Sequence, residues 1–204
     1  MVFNKSKNLY NINQAKKQKK AGVLKNAIIV EGYMDTIALF QAGFENVVAS
    51  MGTALTKEQA RLIKRYTDTV YISYDGDFAG QKGAIRGLEI LRDEQINVRV
   101  VPLPEGLDPD DVIKKKGSEG YARCLEAAMP LIDFKMEVAR RQFDLSKTEE
   151  KRNYISAALK VIAEAESESV KEDLLKKLRD ETGMTYESLR RDLDNTPAEN
   201  REKE

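Results

Sequence analysis

Thr69-Val70-Tyr71-Ile72-Ser73-Tyr74 runs straight into Asp75-Gly76-Asp77, an apolar and β-branched stretch that ends in two acids two residues apart. The same arrangement recurs on either side. Upstream, Ala27-Ile28-Ile29-Val30 leads into Glu31; downstream, Val98-Arg99-Val100-Val101 precedes Asp108-Pro109-Asp110-Asp111. Short apolar runs separated by helix-length amphipathic stretches read as strands of a buried parallel sheet. The strands are expected near 27–31, 46–49, 69–75 and 97–102. Helices between them are expected at Met34–Ala42 (stopping before Gly43), Thr56–Tyr66 and Ala79–Arg92. Thr56-Lys57-Glu58-Gln59 has the form of a capping box and marks the start of the second helix. Alternation of strand and helix predicts right-handed crossovers and an α/β fold, an open parallel sheet with flanking helices over 27–117.

Strands of such a sheet all point one way, and ligands bind just beyond their carboxyl ends. Glu31, Asp75 with Asp77, and Asp108 with Asp110 are therefore expected at one rim. Clustered carboxylates repel one another unless cations offset them, and hard oxygen ligands suit Mg²⁺. A local reading stands beside the metal reading at each place. Glu31 is a carboxylate at a strand end, with Gly32 after it permitting close approach. Asp75 and Asp77 face the same way while a strand persists, but Asp77 is also placed to cap a helix starting at Ala79. Asp108, Pro109, Asp110 and Asp111 make a well-formed helix start that needs no metal. Ser50-Met51-Gly52-Thr53 follows the second strand and is placed to line the same edge.

Composition narrows the chemistry. The chain has 204 residues, 41% hydrophobic, with no apolar run near the ~18 residues needed to span a membrane. It has no histidine and a single cysteine, Cys124. Ser-His-Asp and Cys-His catalysis, His₂-carboxylate metal sites and zinc cages that use histidine or several cysteines are excluded. Lacking a second cysteine, the chain has no internal disulfide, in keeping with a reducing cytoplasm, and Cys124 is expected to be a small buried hydrophobe. Thirty-four basic residues balance 34 acidic ones, yet residues 1–30 hold seven lysines (Lys5, Lys7, Lys16, Lys17, Lys19, Lys20, Lys25) and no acid. Such a block either follows a phosphate backbone or is a solvated arm.

From about residue 118 the period becomes helical. Ile155, Ala158, Leu159 and Ile162 share one face, as do Leu174, Leu175 and Leu178. Ser146-Lys147-Thr148-Glu149 and Ser169-Val170-Lys171-Glu172 have the form of capping boxes, and Gly183 is a natural stop. A small C-terminal helical bundle is expected over 118–194, and a polar tail over 195–204.

Val30-Glu31-Gly32-Tyr33-Met34-Asp35, Tyr74-Asp75-Gly76-Asp77-Phe78-Ala79-Gly80, Gly106-Leu107-Asp108-Pro109-Asp110 and the opening Val2-Phe3-Asn4-Lys5-Ser6-Lys7-Asn8-Leu9-Tyr10 resemble the toprim domain of bacterial primases. The likeness runs from residue 1 to roughly 190. It implies that 1–26 end a preceding polymerase subdomain and 27–117 are the toprim domain. It further implies DNA-templated synthesis of short RNA primers, in which a primer 3′-hydroxyl attacks the α-phosphate of a ribonucleotide. Glu31, Asp75 and Asp77 would form the catalytic Mg²⁺ site, with Glu31 either a ligand or a proton acceptor and Mn²⁺ able to substitute, and Asp108 and Asp110 would support them. Lys5 falls where the family has a basic residue near the nucleotide; Lys7, Gly52 and Thr53 complete the implied nucleic-acid side. The implied partners are single-stranded DNA, ribonucleotides, the RNA primer and a replicative helicase. The helicase-binding domain is expected beyond the tail, and the zinc-binding domain before residue 1, so the chain reads as a partial catalytic core. Asn11 stands where the family usually has Gly.

Three rivals remain. A haloacid-dehalogenase-type phosphatase also carries Asp-x-Asp after a strand, but prefers Thr or Val where Ala79 stands. A toprim nuclease or topoisomerase shares the domain, but lacks the Asp108-Pro109-Asp110 motif. A non-catalytic toprim module would bind single-stranded nucleic acid without turnover.

Overall fold

Ala27–Val30 (β1) is apolar at every position and buried at every position, because parallel neighbours and covering helices enclose both of its faces. The computed structural model describes residues 4–19, 24–51, 55–75 and 82–196. Around β1 lie Val47–Ala49 (β2), Thr69–Ile72 (β3) and Asn97–Val100 (β4). A two-residue strand, Met129–Pro130 (β5), completes a five-stranded sheet in the order β2-β1-β3-β4-β5. The first four strands are parallel, with Ile29 opposite both Val48 and Ile72, and Tyr71 opposite Arg99. β5 runs antiparallel to β4 and makes the sheet mixed, a strand the sequence did not announce. Pro130 offers no N–H, which suits the sheet edge.

After a short α1 (Ile12–Ala15), the helices of this part are α2 (Tyr33–Gln41), α3 (Lys57–Lys64), α4 (Lys82–Asp93) and α5 (Pro109–Glu126). The chain steps from β1 to β2 in one direction and then crosses back to β3 on the other side of β1. With right-handed crossovers, that reversal sends α2 to one face and α3 and α4 to the other. On the α2 face, Ile28, Val30, Leu39, Val47, Ala49, Val112 and Tyr121 form a buried cluster. Tyr121 is fully buried and meets Phe44 edge to face at 4.9 Å. An aromatic buried this way contributes ~1.5–3 kcal/mol from area alone. Cys124 packs against this cluster but is only half-buried.

Contacts divide the chain at 131/132, into 1–131 and 132–204; the sequence reading set the start of the helical part at 118 and its boundary within 117–130. Gly117 does interrupt α5, at φ 67° and ψ −176°. The chain beyond it nevertheless stays with the sheet, because Tyr121 fills the α2-side core and Met129–Pro130 adds the edge strand. The expected strand over 69–75 also ends early, at Ile72. Ser73 N–H still donates to Ile29 O (2.9 Å), and past it β1 has turned at Gly32 into α2, so the β1–β3 ladder ends there.

The second unit contains most of α6 (Leu131–Arg141), then α7 (Thr148–Ala163), α8 (Glu168–Thr182) and α9 (Tyr186–Asp194). Ala158, Leu159, Ile162, Leu174, Leu175 and Leu178 are buried in its core as expected, joined by Tyr154, Leu189 and Leu193, while Ile155 is partly buried. Two helix starts differ from expectation. Ser146 does not cap α7; its N–H and hydroxyl go to Asp144 Oδ1 (3.0 and 2.7 Å), and Lys147 takes the cap position. α8 begins earlier, with Ser167 at the N-cap position but its hydroxyl on the Ser169 hydroxyl (2.7 Å) rather than on a backbone N–H, so Ser169 lies inside the helix. Gly183 stops α8 as expected, at φ 73° with its N–H on Arg179 O. Among the described residues no helix is long and apolar enough to cross a membrane.

Candidate metal and nucleic-acid site

Connections leave the carboxyl ends of β1 and β3 in opposite directions, so a crevice opens between these neighbouring strands. Glu31 follows β1 and Asp75 lies three residues past β3, both exposed at that crevice. They sense each other: partial burial, then Asp75, then Asp35 push the Glu31 carboxyl above the usual carboxylate range. The third strand end of the rim is Ser50, whose N–H donates to Val30 O (3.2 Å). Next to it Met51, at φ 66°, gives its N–H to Glu31 O (3.0 Å). The Tyr74 phenol is pushed up by burial and by the Glu31 charge, and hydrogen bonds with Ser50.

Asp35, which falls within the first quoted motif but was not expected among the site residues, ties the rim together. It sits in the first turn of α2 and is buried. Its Oδ2 accepts from Gly32 N–H (3.3 Å) and its Oδ1 from Asp110 N–H (3.4 Å). One carboxylate thus joins the turn after β1 to the first turn of α5, 75 residues away. Burial and the Asp108 charge raise its pKa to about 6, against the two N–H bonds that lower it. The available signal was an acid four residues after Glu31, at the third position of a helix; that pattern is ordinary for capping and so carried no weight.

Asp108 meets its local reading: it is the N-cap of α5, with its Oδ1 accepting Asp111 N–H at 2.6 Å and Pro109 at the first helical position. Asp110 pairs with Lys114 one turn on. Asp77, Gly52 and Thr53 lie outside the described residues. Among the described residues no three carboxylates stand close enough together to chelate one ion. What the described acids supply is a field: besides burial, the Asp75 and Asp35 charges raise the proton affinity of Glu31, and the Asp108 and Asp75 charges raise that of Asp35, the condition a divalent cation relieves. Hard oxygen donors fit Mg²⁺ or Mn²⁺.

The basic opening segment folds onto the same end of the sheet. Tyr10 N–H donates to Ala49 O (2.9 Å) and Ala49 N–H to Tyr10 O (3.2 Å), adding one antiparallel bridge beside β2. Asn11 adopts φ 63°, the left-handed region that Gly takes freely and Asn tolerates, and its Nδ2 donates to Val47 O (3.0 Å). The capping box of α3 holds the rest. Thr56 Oγ1 accepts Gln59 N–H and Gln59 Oε1 accepts Thr56 N–H, as the sequence predicts. Beyond that, Gln59 Nε2 reaches Lys5 O (3.0 Å), Asn8 O (2.8 Å) and Ser50 O (3.4 Å), and the Thr56 hydroxyl reaches Ser6 O (2.5 Å). Lys5 and Lys7 are left exposed on this clamped turn. Lys16 and Lys19, by contrast, lie 4.7 and 4.6 Å over the Tyr66 ring, so part of the lysine block packs on the protein itself.

A family model described as Toprim-like matches residues 28–113, and one described as the DnaB-helicase binding domain of primase matches 132–185. The second match corrects the expectation that such a region lies only beyond residue 204: it falls on α6 to α8. The DNA primase of Clostridium acetobutylicum is 41% identical over 189 residues, covering 92% of this chain and 31% of that protein. The DNA primase of Aquifex aeolicus is 42% identical over 155 residues, covering 76% of this chain and 30% of that protein. The chain spans about a third of the length of the curated relatives it matches. Among solved structures, the DnaG primase catalytic domain bound to ssDNA superposes with a TM-score of 0.70 at 32% identity, covering 92% of this chain and 60% of that one. The Escherichia coli primase catalytic core gives a TM-score of 0.68 at 33% identity, covering 90% and 59%. By sequence over nine-tenths of its length, and by fold, the chain belongs to the DNA primase family and carries the family's toprim domain with the helical part that follows.

Proposed function

We propose that this chain is the catalytic core portion of a DNA primase, extending an RNA primer on a single-stranded DNA template. The observation that carries the reading is the pairing of Glu31 with Asp75 at the crevice between β1 and β3, joined through Asp35 to the Asp108–Asp110 turn. The description shared by the relatives favours it over a nuclease, topoisomerase or phosphatase.

Glu31, Asp75 and Asp77 would hold Mg²⁺, with Asp108 and Asp110 supporting them from the start of α5. When bound, the ion would supply positive charge to acidify the primer 3′-hydroxyl and to offset charge on the departing pyrophosphate. The chain's own contribution is to hold the acids near one another at a fixed spacing, at a cost in their ionisation that a bound cation would offset. Asp35 fixes the spacing of the Glu31 turn and the Asp110 turn through two backbone N–H groups. Contacts to the nucleotide and strand phosphates are assigned to the exposed Lys5 and Lys7, and from the sequence motif alone to Gly52 and Thr53. The first unit is the catalytic one; the second meets the replicative helicase, on the strength of the 132–185 match. Work at a replication fork implies the bacterial cytoplasm.

The test is ribonucleotide incorporation on single-stranded DNA with Mg²⁺, the preceding polymerase segment being supplied in trans. Asp75→Asn is expected to reduce incorporation on the order of 100-fold or more, the scale of losing one preorganised electrostatic group. Equal incorporation by Asp75→Asn and the parent chain would count against the proposal.

A further inference from the structure

Among the described residues of the first unit, the large apolar side chains left exposed are Tyr10, Tyr33, Met34 and Ile37. They are not scattered. Tyr33, Met34 and Ile37 occupy the first turns of α2, at the three- and four-residue spacing of one face. Tyr10 joins them from the opening segment, its ring edge-to-face with Tyr33 at 6.3 Å between centroids and 64° between planes. Tyr33 is 59% exposed and Tyr10 39%. Both rings are mounted on fixed backbone: Tyr10 by its two hydrogen bonds with Ala49, Tyr33 by the α2 start that Asp35 caps.

The surroundings select an occupant. Tyr33 is two residues from Glu31, at the metal-binding rim. Tyr10 ends the segment that displays Lys5 and Lys7 to solvent. Aromatic faces interleaved with cations are what single-stranded nucleic acid requires, bases stacking while phosphates follow the positive charge. An apolar protein partner would gain from the rings but not from the flanking lysines and carboxylates. An edge-to-face pair also leaves ring faces open to a base. We propose that Tyr10 and Tyr33 form a stacking platform for an unpaired base of a single strand whose phosphates run along Lys5 and Lys7. The inference rests on the reading of this chain as a primase core.

The experiment titrates the whole chain, in EDTA, into an oligothymidylate carrying one 2-aminopurine, following affinity, fluorescence quenching and salt dependence. Tyr10→Ala and Tyr33→Ala are expected to weaken binding about 5- to 150-fold, the range of one lost base–aromatic stack. They should also abolish quenching yet leave the slope of log affinity against log salt unchanged. Tyr33→Phe, which keeps the ring, should restore the quench. Lys5→Ala with Lys7→Ala should instead flatten the slope, by ~0.7 for each phosphate no longer neutralised. If both alanine variants at the tyrosines bind and quench like the parent while the lysine variant weakens, the platform is wrong and the patch belongs to a protein partner. If the parent chain binds no single strand at all, the platform falls together with the nucleic-acid reading beneath it.

Discussion

Asp35 shows how one side chain can organise a site without standing at its surface. It is buried, accepts two backbone N–H groups from separate segments, and faces the Asp108 charge. Its pKa is raised from 3.8 to about 6, so the folded chain binds a proton there that the unfolded chain has already released. Stability is then greatest below about pH 4 as far as this group is concerned, and is lost as pH rises through about 6. After allowance for solvent at the rim, the loss is about 1–2 kcal/mol. Urea denaturation in EDTA between pH 4 and 7 should show that fall, and Asp35→Asn should flatten it. A parent chain and an Asp35→Asn variant with parallel pH profiles would remove Asp35 as the cause. The placement of Glu31 and Asp75 at one rim was legible in the sequence because each follows a strand of a parallel sheet, past its carboxyl end. Asp35 was not, because an acid in the first turn of a helix already has a local reason to be there.

The capping box of α3 extends this economy from a residue to a segment. Thr56 and Gln59 close the helix start, and the spare hydrogen-bonding capacity of both side chains takes carbonyls from Lys5, Ser6, Asn8 and Ser50. Gln59→Met keeps the volume but deletes the bonds made by Gln59. It should cost about 2–3 kcal/mol in urea denaturation, at ~1 kcal/mol per hydrogen bond. Limited proteolysis within residues 4–10 should quicken with it; unchanged proteolysis would mean the bridge at Tyr10 suffices to hold the segment. Sequence patterns found this box because its residues serve the helix first. They failed at Ser146 and Ser169, where Asp144 and Ser167 offered nearer local partners. They missed β5 as well, since two residues ending in a proline carry no strand signature.

The molecule divides by what each segment can bury. Residues 118–131 look helical in sequence yet stay with the sheet, because Tyr121 has its core place there. Among the described residues, the second unit (132–204) encloses an apolar core of its own, running from Met136 to Leu193. That segment expressed alone should therefore be helical and melt cooperatively by circular dichroism; a gradual, non-cooperative loss of signal would show that its core needs the first unit. In the first unit, the order of strands does what sequence could not reveal. It sets β1 and β3 side by side and turns their connections apart, so that Glu31 and Asp75 share one crevice. That convergence is tested most directly by calorimetric titration of Mn²⁺ into the parent chain, Glu31→Gln, Asp75→Asn and the double variant. One shared ion predicts that each single change weakens binding at least ~10-fold and that the double change adds little. Mn²⁺ binding that survives either single substitution at full strength would contradict it.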